Sequence, residues 1–201
     1  GAFEIGDSSD TIMNSIIKRS ILLGNPVILV VPNYRVNVSH DVMAFGFLMG
    51  REVEAAGVGK LGLCDQRFAL QWVQEHIYTF RGELSCMLSS SIATIYSSSH
   101  SSRLSAGAIS VGMHLVASHA DHLTLFSGAF MESGATSIPP LAHGQPQYDQ
   151  LVTDCDCTHV ADTLDCLRHV PFETLMTSIN RIPNIFSYTG LGNVWKPRVD
   201  G

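Results

Sequence analysis

Five consecutive apolar residues, Val27-Ile28-Leu29-Val30-Val31, stand between Pro26 and Pro32 with no alternation of polar and apolar side chains. A strand with one face in water alternates with a period of two, whereas a strand covered on both faces does not, a condition met in parallel sheets flanked by helices. The run therefore predicts a buried strand with helices on either side of its sheet. A shorter piece, Ala44-Phe45-Gly46-Phe47-Leu48, reads as a continuation after the polar interruption at 37–41. The run is also the longest uninterrupted apolar stretch. It is far below the roughly 20 residues a bilayer-crossing helix needs, so no transmembrane segment is expected.

Helical periodicity appears between Asp65 and Ile77, where Phe68, Ala69, Trp72, Val73, His76 and Ile77 recur at helix spacing and Asp65 suits the positive amino end. Residues 106–116 carry small side chains and then Ile109, Met113 and Leu115, which suits a helix lying close against a sheet. Ala129-Phe130-Met131 reads as another short buried strand. Helices are expected at 148–153, 161–170 and 171–179, the last with Pro171 in its first turn. Two serine tracts, at 84–91 and 97–102, read as loop around a possible strand at 92–96. Strands alternating with helices imply an α/β fold with a mostly parallel sheet.

Over 201 residues, 45% hydrophobic content against 15% charged residues describes a globular chain. Net charge is −6 and the basic residues are scattered, so no stripe exists to neutralise a phosphate backbone, and nucleic acid is excluded as a partner. Residue 1 is Gly with no basic-then-apolar leader, so a targeting signal is expected to be removed or to lie upstream, and the chain reads as a segment. Five cysteines cannot all pair internally. Cys157 and Cys166 are the expected disulfide, closing a short loop into a helix and implying an oxidising compartment; two reduced cysteines in a cytosolic protein are the alternative. Asn37-Val38-Ser39 matches the N-glycosylation triplet.

The sharpest chemical feature is Ser105-Ala106-Gly107, on the path from a possible strand into a helix. A serine there can occupy a nucleophile elbow, a strained turn that lifts the hydroxyl out of the sheet while the next backbone N–H helps to stabilise an oxyanion. It can equally be an ordinary helix N-cap. His119, Asp121 and His122 resemble metal ligands in type but lack a third ligand at useful spacing, so they read as a solvated turn and no metal is expected. His76 and His114 read as helix residues near the core.

Several longer stretches, taken together and in order, resemble the type-B carboxylesterase/lipase family and its fungal lipase-like branch. They are Gly1-Ala2-Phe3-Glu4-Ile5-Gly6, Asn33-Tyr34-Arg35-Val36, Phe45-Gly46-Phe47-Leu48 and Gly62-Leu63-Cys64-Asp65-Gln66-Arg67 leading into Gln71-Trp72-Val73. Ser105-Ala106-Gly107-Ala108, Phe130-Met131-Glu132-Ser133-Gly134 and the cysteine pair before Cys166-Leu167-Arg168 follow. The resemblance implies an incomplete α/β-hydrolase fold across residues 1–201, secretion, and hydrolysis of a small-molecule or lipid ester through an acyl-enzyme, with no cofactor. Ser105 would be the nucleophile, Gly1, Ala2 and Ala106 the oxyanion donors, and Cys157–Cys166 a family disulfide.

The departures matter as much. Arg103 and Leu104 stand where the family elbow has Gly-Glu, and a β-carbon in place of that glycine strains the turn. Residues 37–43 and 84–103 interrupt the family frame as irregular insertions, such as retained non-coding segments or mis-joined exons would supply. In family order the histidine base and its orienting acid come after residue 201, and none of the nine histidines present matches. The chain alone is therefore expected to turn over little substrate. The alternative reading is a non-catalytic hydrolase-like binding protein.

Overall fold

The computed structural model describes residues 3–4, 14–36, 46–83, 88–90, 102–117, 125–131, 133–134, 139–184, 186–189 and 195–199. They fall in two compact units, one built mainly from 6–34 and 63–137, the other from 2–5, 35–62 and 138–201.

The first unit holds α1 (Asn14–Leu22), most of α3 (Leu61–His76), β1 (Leu88–Ser90), α4 (Ser102–Val116) and β2 (Gly128–Phe130). β1 and β2 are parallel, with Leu88 opposite Gly128 and Ser90 opposite Phe130. Parallel neighbours need a crossover, and α4 supplies it, packing against both strands. Ala106, Gly107 and Ala108 are buried, so α4 approaches its neighbours on nearly bare backbone. The helix expected at 65–77 is α3, continued by a 3₁₀ turn at Ile77–Phe80. It stops where Arg81 takes a left-handed conformation (φ 63°) and its N–H and that of Gly82 close back onto Tyr78 and Ile77.

Three expectations for this unit change. The residues of 27–31 form no regular element, and Val27 and Ile28 are about half exposed, at 48% and 47%. A strand exists only within a ladder, and no described segment pairs with this run; the N–H of Val27 goes instead to the Ser20 hydroxyl at 3.2 Å. β2 forms where a strand was expected, but Phe130 and Met131 are exposed rather than buried, because hydrophobic character alone does not supply a covering layer. Part of the serine tract read as loop is β1, since a short polar segment pairs when a neighbour offers its backbone.

The second unit is a helical cluster. It contains α2 (Arg51–Ala55), α5 (Gln145–Asp154), α6 (Thr163–His169) and α7 (Phe172–Ile179). Proline stands in the first turn of α5, where its missing N–H has no intrahelical partner to lose. Asp162 caps α6 by accepting from the N–H of Asp165 at 2.8 Å, and Pro171 sits just before α7 as its N-cap. The buried residues recur at three- and four-residue steps: Tyr148, Leu151 and Val152 on α5, Leu164 and Leu167 on α6, Leu175, Ser178 and Ile179 on α7. Each fully buried leucine contributes about 1.5–3 kcal/mol relative to exposure. The amide of Gln145 joins two helices, accepting from the N–H of Arg51 at 2.7 Å while donating to Glu52 and Asp149. It caps α2 from another element, for Gly50 has no side chain to do so.

Cys157 and Cys166 form a disulfide with Cα atoms 5.9 Å apart, tying the end of α5 to α6 inside this core. Replacing both with alanine is expected to lower stability by about 2–3 kcal/mol, read as a lower urea midpoint. Gly144 is a second tight point, because an added Cβ would lie 2.1 Å from Cγ of Met49, which is 0% exposed and has nowhere to move. Gly144→Ala is expected to cost about 1–3 kcal/mol in the same measurement.

Candidate active site

α3 presents a buried face through Gln66, Leu70 and Val73, continued by Ile77 at the start of the 3₁₀ turn. Phe68 and Trp72, expected on that face, lie outside it at 69% and 46% exposure. Trp72 instead packs edge-on against His76 and tilted against Phe80. The periodicity is helical either way, but the buried face includes a polar residue that hydrophobic spacing does not count. Gln66 is 1% exposed, and its amide meets two residues of α4: Nε2 donates to Ser110 Oγ at 3.1 Å, and Oε1 faces His114 Nε2 at 3.0 Å. An amide oxygen only accepts, so His114 donates from Nε2. Ser110 and His114 are one helical turn apart, hence on one face of α4. Eight residues along α3, Gln74 donates to the carbonyl of Leu125 at 2.8 Å, just ahead of β2.

α4 carries the predicted nucleophile. Ser105 is its fourth residue, and the backbone is already helical from Ser102. The strand-to-helix turn expected at Ser105 is therefore not at that residue. The cause is local: an elbow needs glycine before the serine, whereas Arg103 and Leu104 are good helix formers and let the helix begin earlier. Ala106, the expected donor beside the nucleophile, is buried within α4. Gly1 and Ala2 lie outside the described residues, as do residues 37–43, Glu132 and the His119-Asp121-His122 group. Among the described residues no cluster of three or more His, Cys, Asp or Glu side chains suits a metal ion, and no helix is long and apolar enough to cross a membrane.

Several of the other matched motifs make close internal contacts. The backbone of Arg35 passes close to Gly46 and Gly62: a Cβ on either glycine would stand 2.0 Å and 2.5 Å from its carbonyl oxygen. Phe3 packs edge-on against Phe47 at 4.8 Å, both almost fully buried. These approaches explain why glycine recurs in those motifs. The motif residue Gln66 is the position whose part the sequence reading missed; a glutamine inside an otherwise apolar helical face is the signal that marks a buried polar contact.

The carboxylesterase family model matches residues 1–201, and the chain belongs to that family. It is 38% identical to Secreted lipase 1 of Botryotinia fuckeliana and 35% identical to Lipase 2 of Diutina rugosa, each over all of this chain. It spans about a third of the length of these relatives (33% and 35%). An inactive carboxylesterase-like protein of Byssochlamys spectabilis is 25% identical, again over the whole chain. Among solved structures, the crystal structure of Aspergillus niger EstA matches with a TM-score of 0.68 and 29% identity, over 89% of this chain and 31% of that one. The architecture is thus an α/β-hydrolase fold in incomplete form.

Two measurements follow from the ionisable groups. Burial pushes the Tyr34 phenol up to about 12 from 10.0. Between those values the unfolded chain ionises while the folded chain does not, so stability present below pH 10 is lost as pH rises toward 12. The expected loss is on the order of 2 kcal/mol, and Tyr34→Phe removes it in pH-dependent denaturation. Cys155 is buried, and desolvation, with the Asp154 carboxylate second, pushes its thiol up, whereas Cys64 is partly exposed. Iodoacetamide is therefore expected to alkylate Cys64 well before Cys155 in the folded chain, with mass spectrometry of the digested protein reading the order.

Proposed function

We propose that the chain belongs to the machinery of carboxylic ester hydrolysis, with Ser105 as nucleophile and the backbone N–H groups of Gly1, Ala2 and Ala106 as oxyanion donors. The observation that carries this reading is the family match over the whole chain together with Ser105-Ala106-Gly107-Ala108 at the head of a crossover helix between parallel strands. In the acyl-transfer reaction the hydroxyl oxygen bonds to the ester carbonyl carbon, the oxyanion collapses, and the alcohol leaves; water then releases the acid. A donor aimed at the developing oxyanion typically contributes about 100- to 1,000-fold in rate. The substrate is a small-molecule or lipid ester. Secretion is supported by the names of the relatives and by the disulfide.

The family's histidine base and orienting acid have no match among residues 1–201, so acylation by this chain proceeds without general-base help. A site lacking a triad member retains roughly 10³- to 10⁴-fold acceleration over water. Incubation of the chain with a fluorophosphonate and peptide mapping is the test. Slow labelling confined to Ser105 and lost in Ser105→Ala is expected. Labelling elsewhere, or none above the Ser105→Ala background, overturns the nucleophile assignment, and labelling at the speed of a complete triad overturns the missing base.

A second reading, a hydrolase-like protein that binds without catalysis, is favoured by one observation: helical backbone begins three residues before Ser105, where an elbow would bend. The 25% identity to an inactive carboxylesterase-like protein is in keeping with it. Tight, saturable ester binding without any Ser105 adduct distinguishes it.

A further inference from the structure

We infer that Gln66 is a positioning residue that sets the rotation of α4, and with it the presentation of the backbone at Ser105 and Ala106; the catalytic half of this inference rests on the ester-hydrolase reading. α4 needs such a device because of its own composition. Its second turn carries Ala106, Gly107 and Ala108, and Gly112 follows, all buried, with Val111 and Met113 the larger buried apolar side chains farther along. The stretch 106–108 beside Ser105 permits close approach but offers few ridges of its own to resist turning, so its orientation is set farther along the helix.

The polar contacts are not so tolerant. A single planar amide offers a donor on one side and an acceptor on the other, and α4 answers with the Ser110 hydroxyl at 3.1 Å and the His114 imidazole at 3.0 Å. All three groups are buried, at 1%, 2% and 5% exposure. Turning α4 by one residue, about 100°, breaks both bonds and leaves Gln66 and Ser110 without these partners in the interior. A buried group so deprived costs far more than an ordinary bond contributes, which is how a polar network selects one arrangement among several of similar packing. Ser110 lies five residues from Ser105 on the same continuous helix, so fixing one fixes the other. No apolar residue of the same volume discriminates in this way.

The test compares the full 201-residue chain with Gln66→Met, which fills the space without polar atoms, Gln66→Glu, which restores an acceptor for the imidazole, and Ser110→Ala, which removes one bond of the two. Backbone hydrogen exchange at residues 105–108 is read against that at Leu151 in the helical cluster. Gln66→Met is expected to speed exchange at 105–108 by about tenfold or more relative to Leu151. Ser110→Ala should give a smaller change and keep the chain folded if Gln66→Met does not. Imidazole ¹⁵N shifts should report a proton held on Nε2 of His114 in the parent chain and a mixture of forms in Gln66→Met, with Gln66→Glu again holding the Nε2 proton.

A uniform change at all amides, or no change at 105–108 in any variant, overturns the inference. Fluorophosphonate labelling of Ser105, expected to slow by about tenfold in Gln66→Met, reads the catalytic half. If the parent chain takes no label, the nucleophile assignment fails while the exchange and imidazole data still decide the positioning role.

Discussion

A polar side chain withdrawn from water has to find its partner inside the protein, and the crossover between β1 and β2 is organised around that requirement. α4 brings a hydroxyl and an imidazole into the interior on one face, and α3 meets both with one amide. Gln66 shares the buried side of α3 with Leu70 and Val73, while Phe68 and Trp72 stand outside. Hydrophobic burial supplies the larger share of the free energy, but it is non-directional. Direction comes from hydrogen bonds.

The helical cluster solves a different problem. Its helices are short, from five to ten residues, and helices of that length are not stable by themselves in water. They are held by packing onto a shared apolar centre that includes Leu151, Leu167 and Trp195, by the Cys157–Cys166 bond, and by the Gln145 amide spanning α2 and α5. Asp154 adds a peripheral tie, accepting from Ser178 at 2.7 Å and facing Arg181 at 3.4 Å. The second contact is half in solvent and contributes little, since exposed ion pairs are typically worth under about 1 kcal/mol.

Much of this was legible from residue order. Helices at α3, α5, α6 and α7 follow from spacing, and the disulfide from cysteine positions, because both depend on neighbours in sequence. The strand reading of 27–31 was not legible in the same way. β-branched residues make a segment suitable for a sheet, yet a strand is a relation between two segments, and the partner is not encoded in the run itself. The same holds for β1, where Leu88, Ser89 and Ser90 have modest strand character and pair because β2 lies alongside. For the candidate site, the serine was visible in Ser105-Ala106-Gly107, while the start of helix at Ser102 was not, since Arg103 and Leu104 tip a local balance between turn and helix.

By itself, then, the order of residues determined the class of layers, the family, the long amphipathic helices and the bonded cysteines. The layers, helices and cysteine pair are matters of period and local spacing, and the family rests on the resemblance of motifs taken in order. Tertiary structure alone decided which segments pair as strands, which face of α3 turns inward and how Gln66 is used, because each depends on groups far apart in sequence meeting at hydrogen-bond distance, and short-range pattern carries no record of such meetings.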